Sequence, residues 1–507
     1  MRVAIIDVGS NNIKLEVFEI DEKGNSQLIY DEKVAARLGH DVFVHRKLNP
    51  KNMEIAIEGL KNIARILKSL QVERTFALGT AALREADSQE FVTRARKETG
   101  IKIRVISGIE EARLVHNAVL AYTPFEGRTF FLNDIGGGST EISVSNGKLL
   151  FVESLRLGTV RLKELFASAR DDKEAYQMME RYVDKILAPY LGELLRHKID
   201  MGISTGGTAR NLCEIVRSNG GTKEEEKGIP VLYTRDLKDL VSQMKKMTPK
   251  EILKLQGLDS ARADIIVPGG ILLLGLLQNL RIDRSLVSNR GLRDGALIDY
   301  IYHKVNKKIY QERQNEYRKR GLEIISNKYN IDKKHAEQTA KLALMLFRIL
   351  KALHNLPQKY EEILYGAALL HDTGRIIDYA NHHKHSQYLI QNSAILGFSD
   401  HEKTLMALIA RYHRKSMPKS THIEFQTLSP PEQQVVTKLA ALLRLADSLD
   451  RSYSSSVKNI TVKNLSSDKV HLVVEGRGDL ALELWSVEKK KDFFEKTFGR
   501  RLKVEKV

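Results

Sequence analysis

"FLNDIGGGSTEISV", residues 131–144, places three glycines between Asp134 and Glu141, with an apolar run on each side. A glycine triplet in such surroundings predicts a tight turn between two strands, whose backbone a ligand can approach closely. Successive N–H groups in a turn of this kind form an anion-binding cavity. Two carboxylates fit beside an anion only if a cation lies between them, and Mg²⁺ takes few carboxylates together with phosphate oxygens. The stretch alone fits equally well a hairpin that happens to carry charge.

A second copy of the pattern opens the chain as "VAIIDVGSNNIKLEVFEI". Aligning Asp7 with Asp134 also aligns Gly9 with Gly136, and Lys14 with Glu141. Each copy has an apolar strand, D-x-G, a polar turn and an alternating strand, which predicts two hairpins. The sequence therefore predicts two similar halves that face each other, each with a phosphate-binding turn.

Composition predicts several domains without disulfides. The chain has 507 residues, 42% of them hydrophobic, enough for several domains of about 100–200 residues. Its one cysteine, Cys213, excludes an internal disulfide and favours a reducing compartment. We find no signal peptide, and the apolar stretch 265–277 is too short to span a membrane and predicts a loop leading into a buried helix. A cytoplasmic protein with no membrane partner is expected.

The charge balance favours polyanionic partners. The net charge is +17, with 81 Lys and Arg against 64 Asp and Glu. We recognise no nucleic-acid-binding motif, and aromatic residues make up only 7%, so specific nucleic-acid binding is not expected. A different polyanion, or simply a basic surface, remains open.

Other turns before residue 300 combine strands, glycines and arginines. "FALGTAALREADS" (76–88) predicts a strand, a small-residue turn and then Arg84. "VISGIEEARL" (105–114) places Glu110 and Glu111 in the first turn of a helix, where acids often only complement the helix dipole. "GISTGGTARNL" (202–212) predicts a strand, a glycine turn and a helix start, another anion-binding arrangement. Further arginines lie beside turns: Arg156, Arg161, Arg262, Arg290 and Arg293.

The order of these motifs resembles the exopolyphosphatase and guanosine pentaphosphate phosphohydrolase family. The matching stretches are "DVGSNNIKL", "GTAALREA", "SGIEEARL", "DIGGGSTE", "GGTARNL", "VPGG" and "GLRDGAL", which together cover essentially residues 1–300. That family belongs to the superfamily of actin-like ATPases and sugar kinases, whose halves are duplicated ribonuclease-H-like domains. The resemblance implies hydrolysis of the terminal phosphoanhydride of inorganic polyphosphate or guanosine pentaphosphate, with release of orthophosphate.

The resemblance also implies roles for individual residues. Glu111 matches the family's proposed base, which orients and deprotonates the attacking water, with Glu110 as its neighbour. Asp134 and Glu141 would hold Mg²⁺, directly or through water. The substrate phosphates would be bound by backbone and side-chain donors of Ser10, Asn11, Arg84, Gly136, Gly137, Gly138, Ser139, Gly206 and Gly207.

Beyond residue 300 lie eleven of the fifteen histidines. His335, then His371-Asp372 in "ALLHDTG" and Asp447 in "LLRLADSLDR", resemble the H…HD…D order of the HD phosphohydrolase superfamily, an all-helical fold that binds one or two divalent metals. Imidazole and carboxylate ligands suit Mn, Fe or Zn. His385 and His413 are further candidate ligands. The alternative is a structural role: a basic platform, with a homodimer contact, that guides a long polyanion towards the first cleft.

The expected fold is α/β: two duplicated ribonuclease-H-like (actin-like) domains around a cleft, followed by an all-helical HD-like domain and a small α+β lobe. The expected boundaries are 1–125, 126–305, 310–455 and 456–507. The lobe combines two strands in "KNITVKNLSSDKVHLVVEG", an amphipathic helix in "VEKKKDFFEKTFG" and a last strand. Two other functions remain open: an actin-like ATPase or kinase that uses the same hairpins, and a non-catalytic polyanion-binding regulatory protein.

Overall fold

Strands of the N-terminal part of the chain form two sheets built on one plan. The computed structural model describes residues 1–123, 125 and 127–507, which divide into two compact units, Met1–Arg313 and Gln314–Val507. The expected boundary between residues 125 and 126 touches Glu126, which with Pro124 lies outside the described residues. The first unit contains β1 (Arg2–Val8), β2 (Ile13–Ile20), β3 (Ser26–Val34), β4 (Arg74–Gly79), β5 (Ile103–Val105), β6 (Phe130–Ile135), β7 (Thr140–Ser145), β8 (Leu149–Leu155), β9 (Met201–Thr205), β10 (Glu225–Glu226), β11 (Ile229–Tyr233) and β12 (Arg284–Val287).

The two sheets repeat the same strand order. The first is β3-β2-β1-β4-β5, and the second begins β8-β7-β6-β9-β12 and continues with β11 and β10. In both, the first hairpin is antiparallel and its first strand pairs with the next strand in parallel. Asp7 is paired with Lys14 across the first hairpin, as Asp134 is with Glu141 across the second. The internal repeat is therefore confirmed, as is the duplicated α/β fold class.

Helices flank both sheets. They are α1 (Val42–His45), α2 (Pro50–Ser69), α3 (Ala81–Glu85), α4 (Gln89–Thr99), α5 (Gly108–Tyr122), α6 (Thr159–Leu165), α7 (Asp172–Leu194), α8 (Gly206–Ser218), α9 (Thr234–Met244), α10 (Pro249–Ile252), α11 (Ile266–Asn279) and α12 (Leu292–Val305). Helix α13 (Lys307–Lys328) includes the boundary between the two units, and its Leu322 and Ile325 belong to the core of the second. Helix α5 is the one that carries Glu111. Its N-cap Ser107 accepts the Glu110 N–H at 3.1 Å, and a Cβ on Gly108 would lie 2.1 Å from Ser154 Oγ on β8. The start of α5 is therefore fixed against the second sheet.

Helix α11 begins earlier than the sequence indicated. The stretch 265–277 was expected to start as a loop, but the helix includes Pro268 in its first turn. Proline fits there because the first N–H groups of a helix have no intrahelical acceptor. The helix is almost entirely buried in the core of the second sheet. No helix among the described residues is long and apolar enough to cross a membrane.

Helix α12 returns to the first half of the chain. It packs against α5 and β1, and Leu297 joins a buried cluster with Val3, Ile5, Phe18 and Ile20. Residues that the sequence assigned to the second domain thus contribute to the core of the first. The division of the chain into domains stays a prediction.

The second unit is helical and ends in a small sheet. Its helices are α14 (Lys333–Ile349), α15 (Lys351–His354), α16 (Tyr360–Leu370), α17 (His382–Asn392), α18 (Asp400–Arg411), α19 (Ile423–Gln426), α20 (Pro430–Ser448), α21 (Ala481–Lys490) and α22 (Asp492–Phe498), and its strands are β13 (Val457–Leu465), β14 (Lys469–Gly476) and β15 (Arg501–Lys506). The helix expected in "VEKKKDFFEKTFG" is the end of α21 followed by α22. Apolar side chains of the sheet and of both helices join the same core as α14, α16 and α20. The lobe therefore shares its core with the helices.

Candidate active site

Two equivalent turns face the cleft between the two sheets. The first follows β1, where the Gly9 N–H donates to the Asn12 carbonyl at 3.1 Å. The second follows β6, where the Gly136 N–H donates to the Ser139 carbonyl at 3.0 Å. Residues of both turns line the cleft. The duplicated hairpins thus present the same local structure to one cavity.

Glycines allow the two turns to approach each other. A Cβ on Gly137 would lie 2.9 Å from the Cβ of Ser10, closer than two such atoms normally come. Behind the second turn, Arg161 Nε donates to the Gly138 carbonyl at 2.7 Å, and the Val160 N–H donates to the Gly137 carbonyl at 2.9 Å. Among the described residues, the N–H groups of Gly137 and Gly138 have no acceptor. They are available to an anion in the cleft.

Three carboxylates converge beside the turns. Asp134 and Glu141 are paired across the β6–β7 ladder, so their side chains lie on one face of the sheet. Glu111 joins them from the first turn of α5 and is buried. Burial raises the pKa of Asp134 to about 7, and the nearby Glu141 adds to the shift. Burial and Glu141 also raise the pKa of Glu111 well above its ordinary value. Such a concentration of buried negative charge fits a bound cation.

Arg84 connects two of these carboxylates. Its Nη1 donates to Glu111 at 3.1 Å, and its Nη2 lies 3.8 Å from Glu141 and 3.3 Å from Ser139 Oγ. Ser154 Oγ also donates to Glu141, at 2.8 Å. Arg84 and Glu141 are not among the described residues that line the open cleft. In this structure Arg84 holds Glu111 in place, and its contact with phosphate stays a prediction.

Gly206 and Gly207 are the first two residues of α8, directly after β9, and they line the cleft. Gly206 has φ +86°, a conformation that disfavours any Cβ, and a Cβ there would lie 2.4 Å from Asp134 Oδ1. A Cβ on Gly207 would lie 1.8 Å from Arg262 Nη2. The pair therefore leaves room for the Asp134 carboxylate and for the Arg262 guanidinium.

Basic side chains line the rest of the cleft. Within the described part of the chain they are Lys14, Arg210, Arg262, Arg290 and Arg293. Burial lowers the pKa of Lys14, while the facing Asp7 acts in the opposite direction. The cleft has about 940 Å³ of space, including its open mouth, which exceeds what one phosphate group needs. The cations suit a substrate with several phosphates.

The structure brings most of the predicted site residues together. Those that line one cleft are Ser10, Asn11, Glu111, Asp134, Gly136, Gly137, Gly138, Ser139, Gly206 and Gly207. Sequence reasoning missed Lys14 and Arg210, which also line it. The internal repeat could have identified Lys14 as a site residue, because Lys14 aligns with Glu141, a predicted site residue of the second copy. Arg210 follows Gly206 by four residues, and its Nε donates to the Gly206 carbonyl at 3.3 Å. Arg156 is absent from the described lining residues.

A second cluster of titratable groups lies in the C-terminal unit. His335, His371, Asp372 and Asp447 are all buried. His371 Nε2 lies 3.7 Å from Asp372 Oδ1 and 3.8 Å from Asp447 Oδ1, and His335 Nε2 lies 3.6 Å from the same Asp447 oxygen. The Nε2 atoms of His335 and His371 are buried, and neither makes a hydrogen bond within the described residues. Unpaired imidazole nitrogens beside carboxylates fit a divalent metal.

His382 and His413 extend this cluster. Their Nε2 atoms lie 3.1 Å apart, and His382 Nε2 lies 3.1 Å from Asp372 Oδ1. His413 was among the candidate ligands, whereas His382 replaces the expected His385. His385 is on the same helix, α17, but packs against Gly374, where a Cβ would lie 2.7 Å from the His385 Cβ. Within the described residues His385 belongs to no group of potential metal ligands.

The chain is similar in sequence and fold to known proteins. The model of the Ppx/GppA phosphatase family matches residues 17–304, and that of Ppx/GppA phosphatase domain III matches residues 317–493. The guanosine-5'-triphosphate,3'-diphosphate pyrophosphatase of Vibrio vulnificus (strain YJ016) is 28% identical over 484 residues, which cover 94% of this chain and 92% of that protein. The crystal structure of an exopolyphosphatase from Cytophaga hutchinsonii ATCC 33406 is similar to this one, with a TM-score of 0.56 and 28% sequence identity. The match covers 60% of this chain and 98% of the Cytophaga chain.

Proposed function

The chain belongs to the Ppx/GppA phosphatase family, which makes it a phosphoanhydride hydrolase, and we propose that it removes the terminal phosphate of inorganic polyphosphate, with guanosine pentaphosphate as a second substrate. The observation that carries the proposal is the position of Glu111 beside two glycine-containing turns that face one cleft. The name of the Cytophaga relative supports polyphosphate as a substrate, and the name of the Vibrio relative supports guanosine pentaphosphate.

The turns would bind the terminal phosphate. The free N–H groups of Gly137 and Gly138 would donate to its oxygens, together with Ser139 and, from the first turn, Ser10 and Asn11. In phosphoryl transfer a protein acts mainly by positioning groups and neutralising spread-out charge. Two turns that touch each other can fix a phosphate from two sides.

Glu111 would act as the general base. Its raised pKa, caused by burial and by Glu141, makes it a better proton acceptor than an exposed carboxylate once it is ionised. The bond from Arg84 favours the ionised form and fixes the orientation of the carboxylate. Glu111 would thus orient the attacking water and take its proton as the water oxygen bonds to the terminal phosphorus. The bond from that phosphorus to the bridging oxygen would break, giving orthophosphate and a chain shortened by one phosphate.

Asp134 and Glu141 would hold Mg²⁺ at this site. The fit rests on the chemistry of the donors: two carboxylates on one face of the sheet, each with a pKa raised by burial. When bound, the cation neutralises charge on the phosphates that otherwise repel a nucleophile. Family members depend in general on divalent metal; the identity of the ion is part of the proposal.

The arginines of the cleft would bind the phosphates beyond the terminal one. The side chain of Arg262 is only 13% exposed, and its Nε lies 3.5 Å from Asp259. Burial lowers the pKa of Arg262, Asp259 acts in the opposite direction, and the nearby Arg210 lowers it further. Two neighbouring cations repel each other, and substrate phosphates between Arg210 and Arg262 would reduce that repulsion beyond what Asp259 does. This arrangement favours a substrate with several phosphates.

The C-terminal cluster would hold a second divalent metal through His335, His371, Asp372 and Asp447. Its fit rests on the two unpaired Nε2 atoms described above. The dimer and the cytoplasmic location expected from the sequence stay predictions.

The test is orthophosphate release from long-chain polyphosphate, tripolyphosphate, guanosine pentaphosphate and ATP, each with Mg²⁺ and with excess chelator. We expect Mg²⁺-dependent release from polyphosphate and guanosine pentaphosphate, shortening of the chain from its end, and little turnover of ATP. Fast ATP turnover without polyphosphate hydrolysis would instead indicate an actin-like ATPase. Binding of polyphosphate without any release would indicate a regulatory protein.

A further inference from the structure

Arg161 is a buried cation to which the proposed hydrolysis gives no role. It is absent from the described residues that line the cleft, and its side chain is only 6% exposed. Its Nε donates to the Gly138 carbonyl at 2.7 Å, which places the guanidinium behind the glycine turn (residues 136–139). Burying a charge costs free energy unless its partners compensate, so the partners of Arg161 indicate its role.

The start of α6 holds the carbonyl groups of the glycine turn. A Cβ on Gly158 would lie 2.3 Å from the Gly137 oxygen, so glycine permits the close approach of the two segments. Four hydrogen bonds then run from α6 to three successive carbonyl oxygens. They are the Thr159 N–H to Gly136 at 3.1 Å, the Val160 N–H to Gly137 at 2.9 Å, the Arg161 N–H to Gly137 at 3.0 Å and the Arg161 Nε to Gly138 at 2.7 Å.

The positions of these carbonyls fix the direction of the N–H groups that follow them. In a trans peptide the C=O and N–H bonds point in opposite directions, and the peptides of the turn are trans. Because α6 holds the carbonyls, the N–H groups of Gly137, Gly138 and Ser139 point away from α6, and all three residues line the cleft. The direction in which the turn can donate to phosphate is therefore set from behind.

The charge of Arg161 also affects the strength of these donors. A hydrogen bond from a charged group is stronger than one between neutral groups. Hydrogen bonds in a chain polarise one another, so the peptide that accepts from Arg161 through the Gly138 carbonyl becomes a better donor through the Ser139 N–H. Arg161 can thus act on a bound phosphate without touching it.

The other contacts of Arg161 lie in the first half of the chain. Its Nη2 forms an ion pair with Glu85 at the end of α3, and its guanidinium carbon lies 4.4 Å from the centroid of the Phe43 ring. Glu85 directly follows Arg84, which donates to Glu111 at 3.1 Å. A single guanidinium therefore connects the glycine turn to the helix from which Arg84 holds the proposed base.

We propose that Arg161 is a positioning residue of the hydrolase: it aims and strengthens the N–H groups that bind the terminal phosphate, and it ties their turn to α3. The inference rests on the proposed function, since it takes the glycine turn as the phosphate site. Lysine cannot replace this arginine, because one ammonium group does not reproduce the planar fork that donates to the Gly138 carbonyl and to Glu85 together. An arginine with a purely structural role would affect stability and leave the phosphate affinity of the folded protein unchanged.

Binding of orthophosphate to the full-length protein tests the inference without requiring turnover. Wild type, Arg161→Lys and Arg170→Lys are compared by isothermal titration calorimetry with Mg²⁺ present. Arg161→Lys should bind orthophosphate roughly 10-fold more weakly, the scale of one hydrogen bond to a charged group. Arg170, whose side chain is 82% exposed after the end of α6, provides the matched control, and Arg170→Lys should bind as wild type does. The value of kcat/KM for long polyphosphate should fall in Arg161→Lys at least as much as the phosphate affinity.

Chemical rescue separates positioning from packing. Arg161→Ala removes the guanidinium, and guanidinium ion added at a non-denaturing concentration should restore phosphate affinity, whereas ethylammonium, with a single charged nitrogen, should not. Circular dichroism checks that each variant is folded. If neither Arg161 variant folds, Glu85→Gln replaces them and should also weaken phosphate binding, because Arg161 then loses its ion pair.

Three results would overturn the inference. They are equal phosphate affinity in Arg161→Lys and Arg170→Lys, recovery of Arg161→Ala no greater with guanidinium than with ethylammonium, and wild-type phosphate affinity in Glu85→Gln. If wild type binds orthophosphate but releases none from any substrate, the proposed function fails, while the comparison of phosphate affinities still tests the role of Arg161.

Discussion

The hairpins β1–β2 and β6–β7 share one backbone and differ in charge. Both place an aspartate opposite the seventh residue after it, in the same register, and both end in a turn closed by the same N–H to carbonyl bond. In the first hairpin that residue is Lys14, so the ladder pair with Asp7 is neutral. In the second it is Glu141, so the pair with Asp134 consists of two carboxyl groups.

The difference shows how a duplicated fold acquires two functions. A phosphate between two negatively charged hairpins would be repelled, and two positively charged ones would leave no place for a metal. With one hairpin of each kind, Lys14 would bind phosphate directly while Asp134 and Glu141 would bind it through the proposed cation. The site is thus asymmetric in charge although its backbone is nearly symmetric.

The largest effect on activity is expected from substitutions in the β6–β7 hairpin, which carries Asp134 and Glu141 and is called the acidic hairpin below. Asp134→Asn and Glu141→Gln should each reduce Mg²⁺-dependent orthophosphate release by at least about 10³-fold, since both carboxylates are needed to hold the cation. Glu19→Gln, an exposed glutamate of β2, is the control and should behave as wild type. Full activity in either variant, or of wild type in excess chelator, would contradict the assignment of metal to this hairpin.

A smaller effect on activity is expected from a substitution of Lys14 in the β1–β2 hairpin, called the basic hairpin. Lys14→Met should lower kcat/KM for polyphosphate by roughly 10–100-fold, mainly through KM, because one direct phosphate contact is lost and the metal is kept. The dependence of KM on salt should also become weaker. A loss as large as in Glu141→Gln, with unchanged KM, would show that the two hairpins are not divided in this way.

A substitution at Gly206 tests whether the position of the Asp134 carboxylate matters for activity. Gly206→Ala should lower activity roughly 10-fold, because its Cβ would lie 2.4 Å from Asp134 Oδ1 and displace the carboxylate. The control is Gly228→Ala, which brings similar backbone strain, at φ +77°, with no atom within 4 Å of the new Cβ. If both variants lose activity equally, strain and not the position of Asp134 is responsible.

The smallest effect concerns stability without metal. Burial raises the pKa of Asp134 from 3.8 to about 7, so its ionisation destabilises the folded state increasingly as pH rises between those values. Asp134→Asn should therefore stabilise metal-free protein by up to about 4 kcal/mol at pH 8 and by less than about 1 kcal/mol at pH 4. Thermal melting in chelator at both pH values measures this, and a gain that is equal at both would rule out the ionisation as its cause.

The parts of the site that the sequence predicted are local ones. Asp134, Gly136 and Glu141 belong to one hairpin, where strand register fixes which side chains meet. Contacts between distant segments could not be predicted in the same way. The Arg262 guanidinium packs against Gly207 because α8 and the turn before α11 meet in the folded structure. The two residues are far apart in the sequence, and no sequence pattern predicts their contact.

The C-terminal unit shows the same limit on a smaller scale. His382 and His385 are both on α17, and the periodicity of a helix allows either to face the cluster. The folded structure decides between them: His382 Nε2 lies 3.1 Å from Asp372 Oδ1, whereas His385 belongs to no group of potential metal ligands among the described residues. Similarly, Pro268 indicated a loop, but its position in the first turn makes it compatible with helix α11.

Glu111 is the residue that we propose as the general base of this hydrolase. Glu110 is its matched control, being the adjacent glutamate of the same helix turn, whose carboxylate pairs with Arg113 at 2.8 Å and does not belong to the described lining of the cleft. Steady-state orthophosphate release from long polyphosphate should show kcat reduced by roughly 10²–10⁴-fold in Glu111→Gln, with KM nearly unchanged, and wild-type kcat in Glu110→Gln. Near-wild-type kcat in Glu111→Gln, with kcat reduced in Glu110→Gln, would contradict the assignment of the general base to Glu111.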